Sequence, residues 1–302
     1  MSSVVRFSPD LGTWLVEHLN RGQTVETLVQ IMIGQQMEPH VARAIVHAFV
    51  EARARGTALP VDSLIIEDAP QFVYEAPILQ PAPRVQVGER TILVLSRSEQ
   101  PALAVLGNVL SSEECAELIA LARPRLTPST IVNPTTGQDV VAAQRTSLGM
   151  FFRLEENALV ARLDRRISSL MQQPLEHGEG FQVLCYPVGA ETKAHFDFLQ
   201  PSNDANRASI ARSGQRVSTL IAYLNDVERG GETVFPKLGL SVVPQQGNAV
   251  YFEYCNSRSQ VDPHSLHGGN PVLSGEKWVL TKWMRQRRFV SASAASSDGM
   301  FD

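Results

Sequence analysis

Apolar positions recur at helical spacing near the start of the chain and give way to short strand-like runs in its second half. Leu11, Trp14, Leu15, His18 and Leu19 share one helical face and stop at the breaker Arg21-Gly22. Thr24 is placed to cap a second helix carrying Val25, Leu28, Val29 and Met32. Pro39 suits the first turn of a third, with Val41, Ile45, Val46 and Phe49 on one side. This pattern predicts an all-α helical domain over residues 1–57. It defines a core and nothing more, so a scaffolding or homodimer role fits it as well as partner recognition does. Pro60, Pro70, Pro77, Pro81 and Pro83 then break up short apolar runs, which predicts an extended proline-rich linker over 58–84.

The texture changes from Val85. Thr91–Ser96 and Ala102–Leu106 read as strands, Ser111-Ser-Glu-Glu114 as a capping box for a helix running to Ala122, and 157–171 as a second helix with Leu159, Leu163, Ile167 and Leu170 inward. Beyond Gly180 the chain reads as strand after strand: Phe181–Cys185, Val217–Leu224, Leu240–Val243, Ala249–Phe252 and Trp278–Met284, separated by Gly, Pro, Asn or Asp. Such spacing suggests a sandwich or barrel within an α+β domain over 85–290. The polar stretch from Asp204 to Gln215 is expected to be a mobile loop, and 291–302 a disordered tail.

With 302 residues, 43% hydrophobic and 19% charged, the chain can bury at least one large core and has room for two domains. A net charge of −4 gives no electrostatic footprint for nucleic acid or an anionic membrane. No window approaches the roughly 18–20 apolar residues of a membrane span. The start of the sequence lacks the apolar core of a secretory signal, so a cytoplasmic location is expected. Cys115, Cys185 and Cys255 are odd in number and far apart, and read as free thiols packed in the core.

The chemistry concentrates around His195-Phe-Asp197. In a strand, residues i and i+2 share a face, so His195 and Asp197 can reach one ion together. Downstream, the segment Asp262 to Arg285 carries His264, His267, a turn and then a strand with Lys277. An H-x-D triplet alone is a weak signal. Two histidines and one carboxylate, however, make the facial triad of non-haem Fe(II) oxygenases, which leaves open positions on the metal. Gly230-Gly231 reads as a tight turn, and the sequence contains no P-loop or dinucleotide fingerprint.

From Val105 through Phe289 the sequence resembles the prolyl 4-hydroxylase family of Fe(II)/2-oxoglutarate dioxygenases. Five segments carry the resemblance in family order: Arg145-Thr-Ser-Leu-Gly-Met-Phe151, the H-x-D strand, Tyr223-Leu-Asn-Asp-Val-Glu-Arg-Gly-Gly-Glu-Thr-Val-Phe-Pro236, Gly247-Asn-Ala-Val-Tyr-Phe252, and His267 to Trp283. The resemblance implies a double-stranded β-helix (jelly-roll) with flanking helices. It also implies His195, Asp197 and His267 as iron ligands, and Lys277 as the cation for the distal carboxylate of 2-oxoglutarate. Tyr186, Tyr223 and Thr281 are implied as further co-substrate contacts, and Arg145 and Trp283 as substrate contacts. His264 falls outside the Leu-His-Gly-x-x-Pro-Val pattern, and Thr192 stands where the family often has tyrosine.

The implied chemistry uses Fe(II), 2-oxoglutarate and O2, with ascorbate as reductant. It hydroxylates an unactivated C–H bond, foremost that of a prolyl residue in a peptide or protein, and releases succinate and CO2. The alternatives are a free amino acid or another peptide side chain as substrate. Two rival functions keep the fold: a zinc or manganese hydrolase or cupin-like isomerase, and a metal-binding sensor or adaptor without catalysis. The hydrolase or isomerase has no need for Lys277 at the end of a dicarboxylate slot, and a complete triad plus Lys277 argues against the sensor or adaptor.

Overall fold

The computed structural model describes residues 2–35, 37–67, 72–128, 130–132, 139–141, 146–201 and 204–291. Two compact units emerge, one built on Met1–Phe72 and the other on the chain from Val73 onward. The first holds β1 (Ser2–Arg6), α1 (Pro9–Asn20), α2 (Val25–Gly34), α3 (Pro39–Arg55) and β2 (Ser63–Glu67). Ser8 and Thr24 accept from Leu11 N and Thr27 N to cap α1 and α2, and α3 ends at Gly56 with φ 64°. Leu15, Leu28, Val29, Met32, Ile45, Val46 and Phe49 form its core.

The unit is therefore not all-α. β1 pairs antiparallel with β2, and Val5 and Leu64 of this ribbon pack against the helical core. The pairing joins segments some sixty residues apart, which no local periodicity could reveal. It also corrects the expectation of a spacer over 58–84. β2 lies inside that range, and the stretch after it is tied to the second unit. Val73 N donates to Gln260, Ile78 N to Glu253, and Arg97 to Leu79 O.

In the second unit β3 (Arg84–Val87), β4 (Arg90–Glu99) and β5 (Ala102–Gly107) precede α4 (Ser112–Ala122). Next come β6 (Thr127–Pro128), β7 (Thr130–Val132), β8 (Asp139–Val141), β9 (Leu148–Phe151) and α5 (Ala158–Leu170). Then follow β10 (Gln182–Tyr186), β11 (Thr192–His195), α6 (Asp204–Ser213), β12 (Arg216–Tyr223), β13 (Arg229–Gly230) and β14 (Thr233–Phe235). The described strands end with β15 (Leu240–Val242), β16 (Ala249–Glu253), β17 (His267–Gly269), β18 (Val272–Ser274) and β19 (Lys277–Arg285). A nine-stranded antiparallel sheet runs β3-β4-β5-β16-β12-β19-β10-β9-β6, and a four-stranded sheet runs β11-β17-β14-β15. This arrangement is consistent with a jelly-roll. The capping box at Ser111 and Glu114 forms as its sequence predicts, and Asn157 caps α5.

Strand alternation divides the large sheet into two faces. Val183, Cys185, Leu220, Ala222, Trp278 and Leu280 point to a core shared with Leu118 of α4 and Leu159, Leu163 and Ile167 of α5. Their neighbours Leu184, Tyr186, Ile221, Tyr223 and Val279 belong to a second core, shared with Phe235 and Val242 of the smaller sheet. Both faces of the central strands are thus covered, which explains their near-continuous apolar runs.

Residues 204–213 form a helix, not the mobile loop expected from their polarity. No apolar stripe marks it. Arg285 donates to Ser209 O and Gly214 O, and Arg287 to Ile210 O and Ala211 O, so its last carbonyls are satisfied from a distant strand. The tail expected to be disordered lies, from residue 292, outside the described residues. Among those described, no helix is long and apolar enough to cross a membrane.

Lys282 lies on the helix-facing side of β19, with Nζ 2.7 Å from Asp164 Oδ1 and 2.6 Å from Glu179 O; both charged side chains are fully buried. Asp164→Ala is expected to destabilise the protein by about 3–5 kcal/mol, because it leaves an ammonium uncompensated in the core. Lys282→Met combined with Asp164→Leu should lose less than either single change, since no buried charge then remains. Urea denaturation followed by fluorescence measures both.

Candidate active site

The two sheets bring His195, Asp197 and His267 together at one end of the second core. His195 ends β11 and His267 begins β17, and the two residues are directly paired across the strands. Gly268 permits this approach: a Cβ there would stand 2.9 Å from Thr192 O. Asp197 follows the end of β11 in a bend, so the H-x-D triplet is not wholly within a strand as its spacing suggests. His195 Nε2 is 3.5 Å from Asp197 Oδ1, and His267 Nε2 is 3.6 Å from Oδ2. One ligand atom from each residue lies within 4.8 Å of the others.

Each imidazole is oriented from behind. His195 Nδ1 lies 2.9 Å from Lys193 O and His267 Nδ1 2.9 Å from Ser265 O. A carbonyl only accepts, so both Nδ1 atoms donate and both Nε2 atoms are turned to the cluster. His267 is enclosed by Phe235 and Phe252. Burial pushes its ring down to about 4, against the pull of Asp197, so it stands neutral at pH 7. Burial alone would raise the Asp197 carboxyl. The neighbouring His267, His195 and Arg216 outweigh it and hold the group well below the usual carboxylate range. The two ring nitrogens Nε2 and the carboxylate, gathered on one side with the pocket beyond them, suit a divalent iron.

At the other end of the pocket stands Lys277, 5% exposed. It opposes Tyr186 in the β10–β19 ladder, and its Nζ lies 5.5 Å from the Tyr186 ring and 5.9 Å from that of Tyr223. Burial pushes the ammonium down to about 8, partly offset by the charge of Glu232. Among the described residues it has no hydrogen-bond or ion-pair partner. A buried cation without a partner is costly, which points to an anionic occupant.

Other residues singled out by the sequence fall as follows. Tyr186, Thr192, Thr281 and Trp283 line the pocket, and Thr192 Oγ1 donates to Tyr186 Oη at 2.9 Å. The Tyr223 hydroxyl is spent on Thr233 Oγ1 at 2.9 Å, so Thr233 is the one of that pair on the pocket wall. Trp283 lies under the Arg216 guanidinium at 4.1 Å. Arg145 lies outside the described residues. His264 is turned away, held by Asp262 Oδ1 and Tyr74 Oη at 3.1 Å each.

Sequence reasoning missed Thr219, whose Oγ1 donates to Asp197 Oδ2 at 2.7 Å, and Tyr254, whose hydroxyl lies 2.9 Å from Thr219. It also missed Arg216, which donates to Asp197 O and is anchored by Glu179 at 2.7 and 2.8 Å. Only the placement of Thr219 two residues before Ile221 on a predicted strand could have flagged any of them.

Comparison with known proteins agrees with this geometry. Residues 181–285 match the model of the 2OG-Fe(II) oxygenase superfamily, the class that fold and site define. Prolyl 4-hydroxylase 5 of Arabidopsis thaliana is 40% identical over 222 residues, covering 67% of this chain and 74% of that protein. Prolyl 4-hydroxylase 1 of the same plant is 42% identical over 205 residues, covering 63% and 71%. The chain belongs to the prolyl 4-hydroxylase family, and is an enzyme, a dioxygenase that uses Fe(II), 2-oxoglutarate and O2. Among solved structures, the viral collagen prolyl hydroxylase of Paramecium Bursaria Chlorella virus-1, in its 2OG complex, is 26% identical. It aligns with 61% of this chain and 95% of its own at a TM-score of 0.48.

His195→Ala, Asp197→Ala and His267→Ala should each lose tight binding of a divalent metal, read by calorimetric titration of the full chain, because a facial triad keeps only three protein ligands. His264→Ala should bind metal as the parent does. A metal-binding His267→Ala with a non-binding His264→Ala would reverse the assignment.

Proposed function

We propose that the protein hydroxylates a prolyl residue in a peptide or protein, converting 2-oxoglutarate to succinate and CO2, with ascorbate as reductant and in the cytoplasm. The observation that carries this reading is Lys277, a buried ammonium with no hydrogen-bond or ion-pair partner among the described residues, in the same pocket as the triad. Its chemistry fits a dicarboxylate held between metal and cation. The prolyl substrate is supported by the names of the relatives matched above.

Bound Fe(II), with 2-oxoglutarate and O2, supplies the oxidising chemistry that breaks an unactivated C–H bond. His195, Asp197 and His267 would hold that ion. Lys277 would neutralise the distal carboxylate, with the Tyr186 and Thr233 hydroxyls beside it and Thr281 on the same wall. Leu184, Ile221 and Val279 line the space between and exclude water, which strengthens the ionic contact. Trp283, six residues along β19 from Lys277, would meet the substrate together with Arg145. Mass spectrometry of proline-containing peptides incubated with Fe(II), 2-oxoglutarate and ascorbate tests the reading. A mass gain of one oxygen on proline supports it, whereas succinate formed only with a free amino acid or on another side chain redirects it.

Lys277→Ala should raise the KM for 2-oxoglutarate at least about a hundredfold, since breaking a buried charge pair costs about 3–5 kcal/mol. Metal affinity should change little, and Lys277→Arg should restore part of the loss.

The pH dependence follows from the same group. Below about pH 8 the free protein already carries the ammonium. Above it, binding must take up a proton, so affinity for 2-oxoglutarate should fall by up to about tenfold per pH unit. A flat profile from pH 7 to 10 in a binding titration would remove Lys277 from the site.

A further inference from the structure

We propose that Thr219 and Tyr254 form a directed hydroxyl relay that keeps Asp197 to one-oxygen coordination, which makes both of them positioning residues for the metal. The proposal rests on the ligand assignment above. Both side chains are fully buried. At 2.7 Å the Thr219 hydroxyl donates to Asp197 Oδ2. Thr219 has one proton, already used. The 2.9 Å contact with Tyr254 therefore runs the other way, with the phenol donating to Thr219. The order is Tyr254 to Thr219 to Asp197 Oδ2, and each bond polarises the next.

This arrangement leaves the two carboxylate oxygens unequal. Oδ2, 3.6 Å from His267 Nε2, takes a short, charge-assisted bond from Thr219, while Oδ1, 3.5 Å from His195 Nε2, has no hydroxyl donor among the described residues. A carboxylate that chelates with both oxygens must turn both toward the ion, and Thr219 opposes that turn. The effect matters because His195, Asp197 and His267 would hold an ion with open positions left for small ligands. An ion held there would keep more room for a co-substrate if Asp197 gave it one oxygen and not two. The relay is built into regular structure: Thr219 is paired with Trp283 and Phe252 in the large sheet, and Tyr254 N donates to Val217 O. Arg216 fixes the same aspartate by its backbone, donating to Asp197 O at 3.2 Å.

The test uses the full chain freed of metal, with Co(II) as the probe in calorimetric titrations, followed by 2-oxoglutarate binding to the Co(II) form. Thr219→Val keeps the shape and removes the hydroxyl, and should weaken Co(II) binding about ten- to hundredfold, the usual range for an outer-shell partner. Thr219→Ser should return to within about threefold of the parent, and Tyr254→Phe should lose about three- to tenfold because it removes only the polarising bond. In Co(II)-loaded Thr219→Val, 2-oxoglutarate should also bind more weakly.

A folded Thr219→Val with parental Co(II) affinity overturns the proposal. So does a Thr219→Ser as weak as Thr219→Val, which would assign the effect to packing. If Thr219→Val fails to fold, Tyr254→Phe decides. Weaker Co(II) binding at an unchanged melting temperature supports the relay, and unchanged binding sinks it. Asp197→Ala distinguishes the underlying assumption: a parent that binds Co(II) no better than Asp197→Ala overturns the ligand assignment and the relay with it.

Discussion

Everything in the catalytic unit depends on the register of β10, β19 and β12. Side chains on a strand alternate with a period of two, and these three strands are covered on both faces. In the observed register Tyr186 opposes Lys277, while Gln182 and Ile221 both oppose Thr281. Lys277, Val279, Thr281 and Trp283 consequently share the pocket, and Trp278, Leu280 and Met284 pack on the helix side. A slip by one residue would send Lys277 into the core beneath α4 and α5 and put Trp278 in the pocket. Packing under the helices and the chemistry of the site are one constraint satisfied from two sides.

The buried charges show where the fold has settled its electrostatics and where it has not. Arg166 is matched by Glu114 and Glu89, Lys282 by Asp164, and Glu179 by Arg216 and Arg285. Each such group repays its desolvation with direct hydrogen bonds. Lys277 departs from that habit, and it does so at the end of the pocket farthest in function from the metal ligands. A buried cation with no ion-pair partner among the described residues, beside buried charges that are matched, is a physical mark of a binding site, independent of any likeness to other proteins.

Much of this was legible in the sequence, for identifiable reasons. His195, Asp197, His267 and Lys277 combine unusual residue types with motif spacing, and the helices from Pro9 to Arg55 have clear apolar faces and caps. The features that escaped depend on distant partners. β1 is a five-residue strand whose mate, β2, lies beyond three helices in a proline-rich stretch. α6 has no apolar stripe and is held by arginines more than seventy residues later. Thr219 in β12 and Tyr254 just past β16 are unremarkable until the fold brings the Thr219 hydroxyl to Asp197 and the Tyr254 hydroxyl to Thr219. Thr233 was hidden because its neighbour Tyr223 has the more conspicuous side chain.

The position of β19 has a further consequence, for assembly. It is the last strand described, yet it lies between β10 and β12 in the middle of the large sheet. Until it arrives, those two strands have no common neighbour, the core beneath the helices lacks Trp278 and Leu280, and the pocket lacks its cation. The N-terminal unit has the opposite topology: its first strand closes on its last, so all its pairings are complete by Glu67. During synthesis the small unit can finish early, while the catalytic sheet must wait for its central strand and pay a large loop-closure entropy to receive it. Until β19 is made, one edge of β10 and one edge of β12 stay unpaired, which leaves both open to misassociation.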